Sequence, residues 1–478
     1  MGTQRYLTKG YRMQLSGKRV TVVGLGREGI ALVHYLSEQG AQITISDNKT
    51  EFELAPFLAQ IQGISARLSP GRHAPEDFRH ADIIFISAGI PTDLPQLVEA
   101  RQLGIPISSI TQLFFELCPA PIIGITGSSG KTTTTTLIGE FLKAQGGRQV
   151  IVGGNIGRTV LGDLPQITPD SIIVLEMSFN QLEIMTQSPH IALLLNITPN
   201  HLDRCRTMEV YAECKRQILY HQRPEDFAIL NPDNPLSAES RTGTPGKVLW
   251  FSRHHPVEVG AFLEDGWYVF RDFDGRQTRI CRADQTIIPG NHNHENVLAA
   301  IAATHLVGVR PEAMTQVISS FPGVAHRLQY VAEVNGVRYI NDSIATAPER
   351  MMAALKVYEQ QRQPLVLIAG GRDKHLPWEE CAERIVRQVH ALVLLGEATE
   401  LIADAISAAR ERVPVGEQTL QQVYRATSMA DAVHGAAALA RPGDVVLLSP
   451  GGTSFDLFVD FADRGEQFAR EVQRLRES

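Results

Sequence analysis

The amino-acid sequence predicts an α/β protein built from three domains, and three observations support this fold class. Short apolar runs alternate with helix-length amphipathic segments along almost the whole chain, which is typical of parallel sheets covered by helices. The length of 478 residues exceeds the size at which a single hydrophobic core stops growing. Proline-containing interruptions at 118–121 and 321–323 divide the alternation. We therefore expect Rossmann-like domains at 1–118 and 325–478, with a central domain at 119–324.

The first domain should begin with a strand at 19–24, because the run Arg-Val-Thr-Val-Val-Gly is mostly apolar and β-branched. An amphipathic segment at 29–39 predicts the helix that follows. Further apolar runs predict strands at 42–46, 83–87 and 105–108. The two prolines of Cys118-Pro119-Ala120-Pro121 exclude regular helix there, so this segment suits a linker.

The central domain should contain a mainly parallel sheet with a small antiparallel piece. Apolar runs predict strands at 122–126, 172–176, 191–196 and 227–231. The alternation at 267–280 turns at Asp274-Gly275, which predicts an antiparallel hairpin. Helices are expected at 208–220, 291–307 and 311–320.

The last domain should open with a second hairpin, because the segment 330–340 turns at Asn335-Gly336. Strand and helix alternation then resumes. The predicted strands lie at 365–369, 391–395 and 444–449. The predicted helices lie at 378–389, 430–440 and 454–474.

Bulk composition excludes several classes of protein. The formal net charge is −7, which argues against the basic face that nucleic-acid binding requires. The five cysteines are widely spaced without a C-x-x-C pair, which favours a reducing compartment. The first twenty residues lack the apolar core of a signal peptide, and no stretch resembles a membrane span. We expect a cytoplasmic protein that neither binds nucleic acid nor inserts into a membrane.

A glycine loop, Gly127-Ser128-Ser129-Gly130-Lys131-Thr132-Thr133, directly follows the strand predicted at 122–126 and leads into a helix. In such a loop the backbone N–H groups surround phosphate oxygens, Lys131 neutralises the β- and γ-phosphates, and Thr132 can bind Mg²⁺. The loop is shorter than the G-x-x-x-x-G-K-T pattern, since residue 125 is isoleucine. A Gly/Ser turn that only caps a helix is the alternative, but it leaves Lys131-Thr132 unexplained. The loop therefore predicts ATP and Mg²⁺ binding.

Polar residues follow two further strands of the central domain, where α/β folds place their ligand-facing loops. Glu176 ends the strand at 172–176, and one glutamate with one loop threonine is enough for Mg²⁺ beside a phosphate. His201 follows the strand at 191–196 and can orient a substrate or bind a metal. The ordinary alternatives are a charged strand end for Glu176 and a hydrogen-bonded loop histidine for His201.

A second glycine loop, Gly24-Leu25-Gly26-Arg27-Glu28-Gly29, follows the first strand, and Asp47 lies about twenty residues on. This spacing is the dinucleotide fingerprint and by itself favours NAD. The phosphate loop at Lys131 and the lack of a candidate hydride-transfer site argue against that interpretation. An NAD(P)-dependent oxidoreductase stays the alternative from another class, while the loop amides suit any pyrophosphate.

These motifs resemble those of the Mur ligase family, and the likeness covers nearly the whole chain. It continues through Gly153-Gly154-Asn155-Ile156-Gly157, Gly290-Asn291-His292-Asn293, His326-Arg327, Asn341-Asp342-Ser343 and Gly370-Gly371-Arg372-Asp373-Lys374. Members of this family use ATP to convert a carboxylate into an acyl phosphate, which an amino acid then attacks. Within the family the chain is most similar to the member that adds D-glutamate to UDP-N-acetylmuramoyl-L-alanine in peptidoglycan synthesis. The relative that adds alanine is the nearest rival.

The resemblance implies a role for each group of matching residues. Those implied to be catalytic are Lys131, Glu176, His201 and Lys215. Those implied to hold two Mg²⁺ ions are Thr132, Glu176, His201 and Lys215, the lysine as a carbamate. Those implied to bind ATP are Gly127, Ser128, Ser129, Gly130, Lys131, Thr132, Thr133, Asn293, Asn296, Arg327 and Asp342.

Two further groups are implied to bind the other substrates. For the UDP-linked substrate they are Gly26, Arg27, Glu28, Asp47, Asn48, Ser87, Gly89, Asn155, Ser178 and Gln181. For D-glutamate they are Thr346, Lys374, Ser454 and Phe461. We expect a monomer whose partners are these small molecules.

Simpler interpretations stay open for several of these residues. Lys215 could be an exposed lysine on the helix at 208–220, and Lys374 a solvated loop lysine. Asn293 and Asn296 could simply cap the start of their helix. One departure is clear: many relatives carry lysine after Asp-Ser, but residue 344 is isoleucine here, which leaves any phosphate contact by that side chain in doubt.

Overall fold

The computed structural model describes residues 15–157, 159–199, 205, 207–360 and 363–477. Within these residues the chain forms three β-sheets with helices between their strands, so the predicted α/β class is confirmed. The described residues form two compact units. The first consists of the chain up to Ala283 together with the segment His294–Val317. The second consists of Asp284–Asn293 and the chain from Ile318 onward. The domain boundaries expected from the sequence stay predictions.

The first sheet has five parallel strands in the order β3-β2-β1-β4-β5. The strands are β1 Arg19–Val23, β2 Gln42–Ser46, β3 Ala66–Ser69, β4 Ile83–Ile86 and β5 Ile107–Ser108. The helices are α1 Arg27–Glu38, α2 Glu51–Leu58, α3 Pro75–Arg79, α4 Pro95–Gln102 and α5 Ile110–Leu117. The strand order reverses between β1 and β4, and such switch points open a crevice at the carboxyl ends of the strands.

The second sheet has nine strands in the order β14-β13-β12-β11-β10-β9-β6-β8-β7. Its first strands are β6 Ile122–Thr126, β7 Val150–Gly154, β8 Ile172–Glu176, β9 Ile191–Leu194 and β10 Phe227–Leu230. They are followed by β11 Lys247–Ser252, β12 Gly260–Glu264, β13 Trp267–Arg271 and β14 Gln277–Arg282. All pairs up to β11–β12 are parallel, and the two pairs that β13 makes are antiparallel. The hairpin predicted at Asp274-Gly275 is therefore confirmed.

The helices predicted at 208–220, 291–307 and 311–320 are confirmed to within two residues, and they are among the helices formed by the described residues of this region. The helices of this region are α6 Lys131–Gln145, α7 Phe179–Leu182, α8 Met208–Tyr220, α9 Pro235–Glu239, α10 Asn291–His305 and α11 Pro311–Ile318. The side chain of Thr207 accepts a hydrogen bond from Val210 N at the start of α8, which fixes where that helix begins.

The third sheet has six strands in the order β15-β16-β20-β17-β18-β19. The strands are β15 Gln329–Val334, β16 Val337–Asn341, β17 Leu365–Gly370, β18 Val389–Leu395, β19 Gln422–Ala426 and β20 Val445–Gly451. The helices are α12 Pro348–Gln360, α13 Glu379–Gln388, α14 Thr399–Arg412, α15 Met429–Leu439 and α16 Phe461–Glu477. Asn335 and Gly336 both have positive φ angles, of 52° and 75°, so the hairpin predicted there is confirmed.

The last helix begins later than the sequence predicts. The apolar pattern gave a start at 454, whereas α16 begins at Phe461. The side chain of Asp460 accepts a hydrogen bond from Asp463 N at 2.8 Å, and the side chain of Asp463 accepts one from Val459 N at 3.1 Å. These local bonds stabilise a helix start at this point, so residues 454–460 form a loop after β20.

Both faces of the inner parallel strands β17, β18 and β20 are buried, as expected where helices cover each side of a sheet. Leu365 and Leu367 of β17 pack in one core cluster, while Val366 and Ile368 pack in another. Alternate side chains of a strand point to opposite faces, so one short apolar run serves two cores. No helix among the described residues is long and apolar enough to cross a membrane.

Candidate active site

The first glycine loop joins β1 to α1 and is held by two side chains. Asp47 Oδ2 accepts a hydrogen bond from Leu25 N at 2.8 Å, and Ser87 Oγ donates to Gly24 O at 2.9 Å. Asp47 and Ser87 follow β2 and β4, the strands on either side of β1. A Cβ added to Gly29 would overlap Gly24 O, so the tight turn requires glycine. Gly26 precedes α1 without a side-chain cap, which leaves helix N-terminal amides available to an anion.

Glu28 and Arg27 of this loop contact segments that follow β4 of the first sheet and β7 and β8 of the second. Glu28 Oε1 accepts from Gln181 Nε2 at 2.8 Å, while Glu28 Oε2 accepts from Ala88 N at 2.9 Å. Arg27 Nη1 donates to Gly157 O at 2.7 Å, and its Nη2 donates to Asn155 O at 3.2 Å. The structure therefore brings together four of the residues implied to bind the UDP-linked substrate.

The other residues of that group lie on the same loops. Ser178 caps α7, whose capping box it forms with Gln181. Asn48 and Gly89 are exposed on the loops after β2 and β4. A cleft opens beside these loops, and its polar lining includes Glu28, Thr111, Thr159, Glu176 and Gln181.

The phosphate loop joins β6 to α6, and its shape depends on asparagine side chains. Ser129 N donates to Asn196 Oδ1 at 3.0 Å, and Asn196 Nδ2 donates back to Ser129 O at 3.2 Å. Gly130 has a φ of +81°, and a Cβ there would overlap Asn296 Oδ1. The same Asn296 oxygen accepts from Thr134 Oγ1 at 3.3 Å. Only glycine fits position 130, because both the backbone angle and the contact exclude a side chain.

Two lysine ammonium groups meet at one carbonyl oxygen of this loop. Lys131 Nζ and Lys215 Nζ each donate to Gly127 O at 2.9 Å. Burial, together with the positive charge of Lys131, lowers the pKa of Lys215 to about 7. Its ammonium also lies 4.7 Å from the ring centre of Tyr211. Lys215 is 1% exposed, so the alternative of an exposed surface lysine is wrong.

A hydroxyl and a carboxylate stand side by side next to the loop. Thr132 Oγ1 donates to Glu176 Oε2 at 2.7 Å, and Asn155 Nδ2 donates to Glu176 Oε1 at 2.9 Å. Hard oxygen donors of this kind suit Mg²⁺ together with phosphate and water. No cluster of three or more His, Cys, Asp or Glu side chains in the described part of the chain could hold a metal. His201 lies outside the described residues.

The two asparagines expected near adenine belong to α10, and both are buried. Since the helix begins at Asn291, the residue before it is Gly290, and neither asparagine occupies the capping position. Asn293 Nδ2 donates to Pro289 O at 2.6 Å. Asn296 instead contacts the start of α6, as described above.

In the third sheet, Asp342 follows β16 with its carboxyl group buried. Ser449 Oγ donates to Asp342 Oδ2 at 2.9 Å, and Leu328 N donates to Asp342 Oδ1 at 3.1 Å. Burial raises the pKa of Asp342 to about 7, against the opposing effects of these hydrogen bonds and of Arg327 and Arg350. Arg327 itself is exposed.

The residues implied to bind D-glutamate lie beyond the carboxyl ends of β16, β17 and β20. Lys374 Nζ donates to Thr346 Oγ1 at 3.3 Å, so the structure brings these two together. Ser454 is buried in the loop after β20, and Phe461 O accepts from Ser343 Oγ at 2.7 Å. Lys374 itself is exposed.

Sequence reasoning missed a buried arginine in this region. Arg464 is 2% exposed, and its guanidinium donates to Ser343 Oγ, Ser343 O and Gly452 O at 2.9 to 3.1 Å. It thereby ties α16 to the segments that follow β16 and β20. An arginine within an amphipathic helix is usually a surface residue, so no sequence signal marked it.

A glycine loop carrying lysine and threonine beside a strand-end glutamate defines a P-loop enzyme that uses ATP. Models of three domain families match the chain. They describe a Mur ligase MurD-like N-terminal domain at 18–109, a Mur ligase middle domain at 125–304 and a Mur ligase glutamate ligase domain at 326–452.

Relatives and solved structures agree with these matches. UDP-N-acetylmuramoylalanine-D-glutamate ligase of Acetivibrio thermocellus is 39% identical over 97% of this chain and 98% of its own. The protein of that name from Roseiflexus sp. is 40% identical over 96% and 99%. UDP-N-acetylmuramate-alanine ligase of Thermotoga maritima shares the fold, with a TM-score of 0.53 and 16% identity over 96% of this chain and 99% of that one. MurF of Acinetobacter baumannii has a TM-score of 0.54 and 19% identity over 92% and 91%.

The chain belongs to the Mur ligase family, as its motifs predicted. Membership in a ligase family decides against the NAD(P)-dependent oxidoreductase alternative. The first glycine loop is therefore a case in which the dinucleotide fingerprint alone would mislead.

Proposed function

We propose that this protein joins D-glutamate to UDP-N-acetylmuramoyl-L-alanine and converts ATP to ADP and phosphate, a step of peptidoglycan precursor synthesis. The observation that carries the proposal is the convergence of Lys131, Thr132, Glu176 and Lys215 on the phosphate loop. It occurs in a chain about 39% identical, over nearly its full length, to relatives named for this reaction.

ATP is needed because a carboxylate is a poor electrophile whose negative charge repels nucleophiles. In the proposed reaction the alanyl carboxylate attacks the γ-phosphorus of ATP, which gives an acyl phosphate and ADP. The Lys131 ammonium and the loop amides stabilise the charge that develops on the γ-phosphate. The D-glutamate amine then attacks the acyl carbon and gives up a proton. The C–O bond to the phosphate breaks, and inorganic phosphate leaves with the electron pair of that bond.

Thr132 and Glu176 are the residues we propose for the first Mg²⁺, because their oxygens are adjacent and belong to the hard donors this ion prefers. Bound there, Mg²⁺ would neutralise charge on the phosphates. Asn155 keeps the carboxylate in place through its side-chain amide. A second Mg²⁺ would involve His201 and Lys215.

We propose that Lys215 acts as a carbamate. Only a neutral amine can add CO₂, with loss of a proton, and burial beside Lys131 favours the neutral amine near pH 7. Replacement by alanine should abolish activity, and small carboxylate anions should restore part of it. An alanine variant as active as the unchanged protein would contradict the carbamate.

The remaining substrates are assigned to the other strand ends. The loop at Gly24–Gly29, held by Asp47 and Ser87, would bind the UDP pyrophosphate through its amides. Asn293 and Asn296 would meet adenine, Asp342 the ribose, and Arg327 the phosphates. Thr346 and Lys374 would receive D-glutamate, together with Ser454 and Phe461.

The experiment that tests the function is ADP release with UDP-N-acetylmuramoyl-L-alanine and a panel of amino acids. The proposal predicts ADP release that depends on both UDP-N-acetylmuramoyl-L-alanine and D-glutamate, with little release for L-glutamate or L-alanine. Release that requires L-alanine and UDP-N-acetylmuramic acid instead would assign the chain to the alanine-adding reaction.

A further inference from the structure

The proposed amino-acid site contains fewer cations than its substrate has anions. D-Glutamate carries two carboxylates, whereas the group Thr346, Lys374, Ser454 and Phe461 contains one cation, Lys374. A carboxylate removed from water without a charged or hydrogen-bonding partner is strongly disfavoured. Ser454 offers a hydroxyl but no charge, so a second cation close to Thr346 would complete the charge pairing of the substrate.

Arg350 is linked to Thr346 through the backbone carbonyl of Ile344. Its Nη1 donates to Ile344 O at 3.4 Å, and the same carbonyl accepts from Thr346 N at 2.9 Å. The Thr346 side chain in turn accepts from Lys374. The guanidinium and the ammonium thus contact the short segment Ile344–Thr346, one through its backbone and the other through a side chain.

The other nearby arginines are already engaged. Arg372 pairs with Glu397 at 2.8 Å, and Arg464 is buried with its donors directed at Ser343 and Gly452. Arg350 is exposed, and among the described residues its side chain donates to the carbonyl of Ile344. Its positive charge also acts on the buried Asp342 carboxyl, to which it forms no hydrogen bond. Residue 344 is isoleucine, so that side chain supplies no charge.

We propose that the Arg350 guanidinium binds one carboxylate of the incoming D-glutamate while Lys374 binds the other, which makes Arg350 a specificity-determining residue. This inference rests on the proposed function. A planar guanidinium presents two parallel N–H groups that match a carboxylate, whereas it gives no such pairing to a neutral carboxamide.

The test is steady-state ADP release by Arg350→Ala and Arg350→Lys at varied D-glutamate and, separately, varied ATP. We expect Arg350→Ala to raise the KM for D-glutamate by about 10- to 100-fold while the KM for ATP changes by less than about threefold. Arg350→Lys should lie between, since it keeps the charge but loses the paired donors. Lys356→Ala, an exposed lysine on the same helix α12, is the matched control and should leave both KM values unchanged.

Carboxamide analogues identify the carboxylate. The unchanged protein should prefer D-glutamate strongly over D-glutamine and D-isoglutamine, and Arg350→Ala should lose preference against only the one whose amide replaces the bound carboxylate. A rise in the KM for ATP alone would assign Arg350 to phosphate and overturn the inference, as would an unchanged KM for D-glutamate. If the unchanged protein releases no ADP with D-glutamate, the proposed function and this inference fail together.

Discussion

Two glycine loops in this molecule share a local design and differ in the side chains around them. Both follow a buried parallel strand, both lead into a helix, and both contain a glycine with positive φ, Gly24 or Gly130. Around the first loop stand carboxylates, since Asp47 and Glu28 accept hydrogen bonds from backbone amides. Around the second, Lys131 and Lys215 meet at Gly127 O.

The difference between the two loops distinguishes a loop that only binds a phosphate from one that can also take part in phosphoryl transfer. A glycine loop at a helix N-terminus offers amides to any phosphate, so the backbone alone does not distinguish a pyrophosphate that is only bound from one that reacts. Cations, a hydroxyl and a carboxylate around the second loop can stabilise charge that moves during phosphoryl transfer. We infer that the first loop recognises its nucleotide and the second activates a carboxylate.

The substitution with the greatest expected consequence removes the lysine of the second loop and leaves the first loop unchanged. Lys131→Ala should lower kcat by about 10²- to 10³-fold, because one preorganised charge on the transferred phosphate is lost. The KM for the UDP-linked substrate should change by less than about threefold, as measured by ADP release. Lys143→Ala, which removes an exposed lysine paired with Glu140 on the same helix, is the control and should be nearly silent. Equal effects of the two substitutions would contradict the account.

A second substitution removes a carboxylate that holds the first loop and leaves the second loop unchanged. Asp47→Ala should raise the KM for the UDP-linked substrate by about 10- to 100-fold, because Leu25 N loses a charged acceptor and the loop loses its shape. The value of kcat should stay within about threefold, since no charge around Lys131 changes. Asp82→Ala serves as control, because Asp82 bonds the backbone and side chain of Arg19 at the start of β1, at the opposite end of that strand from the loop. A large fall in kcat with an unchanged KM would reverse the roles of the loops.

Replacing one glycine in each loop by alanine should change the free energy of unfolding by different amounts. Gly130→Ala should lower the free energy of unfolding by about 1 to 3 kcal/mol, since position 130 has a left-handed backbone and a close Asn296 oxygen. Gly26→Ala should change it by less than about 0.5 kcal/mol, because no atom lies within 4 Å of the added carbon. Urea titration measures both values. Similar losses would mean that the left-handed backbone and the Asn296 contact do not determine the cost at position 130.

The smallest effect concerns a third strand-end acid, Asp342. Its pKa is raised from 3.8 to about 7 in the folded protein, so the folded state binds more protons than the unfolded state between these values. Stability from this group is present below pH 3.8 and is lost as the pH rises through 7. Asp342→Asn should therefore gain about 1 to 2 kcal/mol relative to the unchanged protein between pH 5.5 and 8. A difference that does not vary with pH in thermal melts would refute the shift.

The sequence predicted the parts of the fold that depend on local rules. Buried strands such as β6 and β8 are unbroken apolar runs, and both hairpins turn at residues that tolerate positive φ. Strands of two kinds were missed. β7, β11 and β12 contain apolar runs that the sequence analysis did not identify as strands, whereas β3 and β19 have few apolar residues. β3 reads Ala-Arg-Leu-Ser and β19 reads Gln-Val-Tyr-Arg-Ala, and each lies at the edge of its sheet. Such strands are defined by pairing with a neighbour rather than by their own pattern.

In the candidate site, too, the residues found from the sequence obey a local rule, whereas the burial that was missed depends on tertiary packing. Loop residues were found because glycine, lysine and threonine must stand at fixed spacing to hold a phosphate. The burial of Lys215 and Arg464 could not be read in the same way, since each lies in a helix whose pattern also suits a surface position. Whether such a side chain is buried depends on what packs above it, and that is a property of the tertiary structure.

The claim that the second loop activates a carboxylate can be tested most directly with oxygen-18. UDP-N-acetylmuramoyl-L-alanine labelled in its alanyl carboxylate is incubated with ATP and D-glutamate, and the released phosphate is analysed by mass spectrometry. An acyl phosphate predicts that each phosphate carries one oxygen from the carboxylate, while ADP stays unlabelled. Phosphate without the label, formed at the same rate as the amide, would contradict the account.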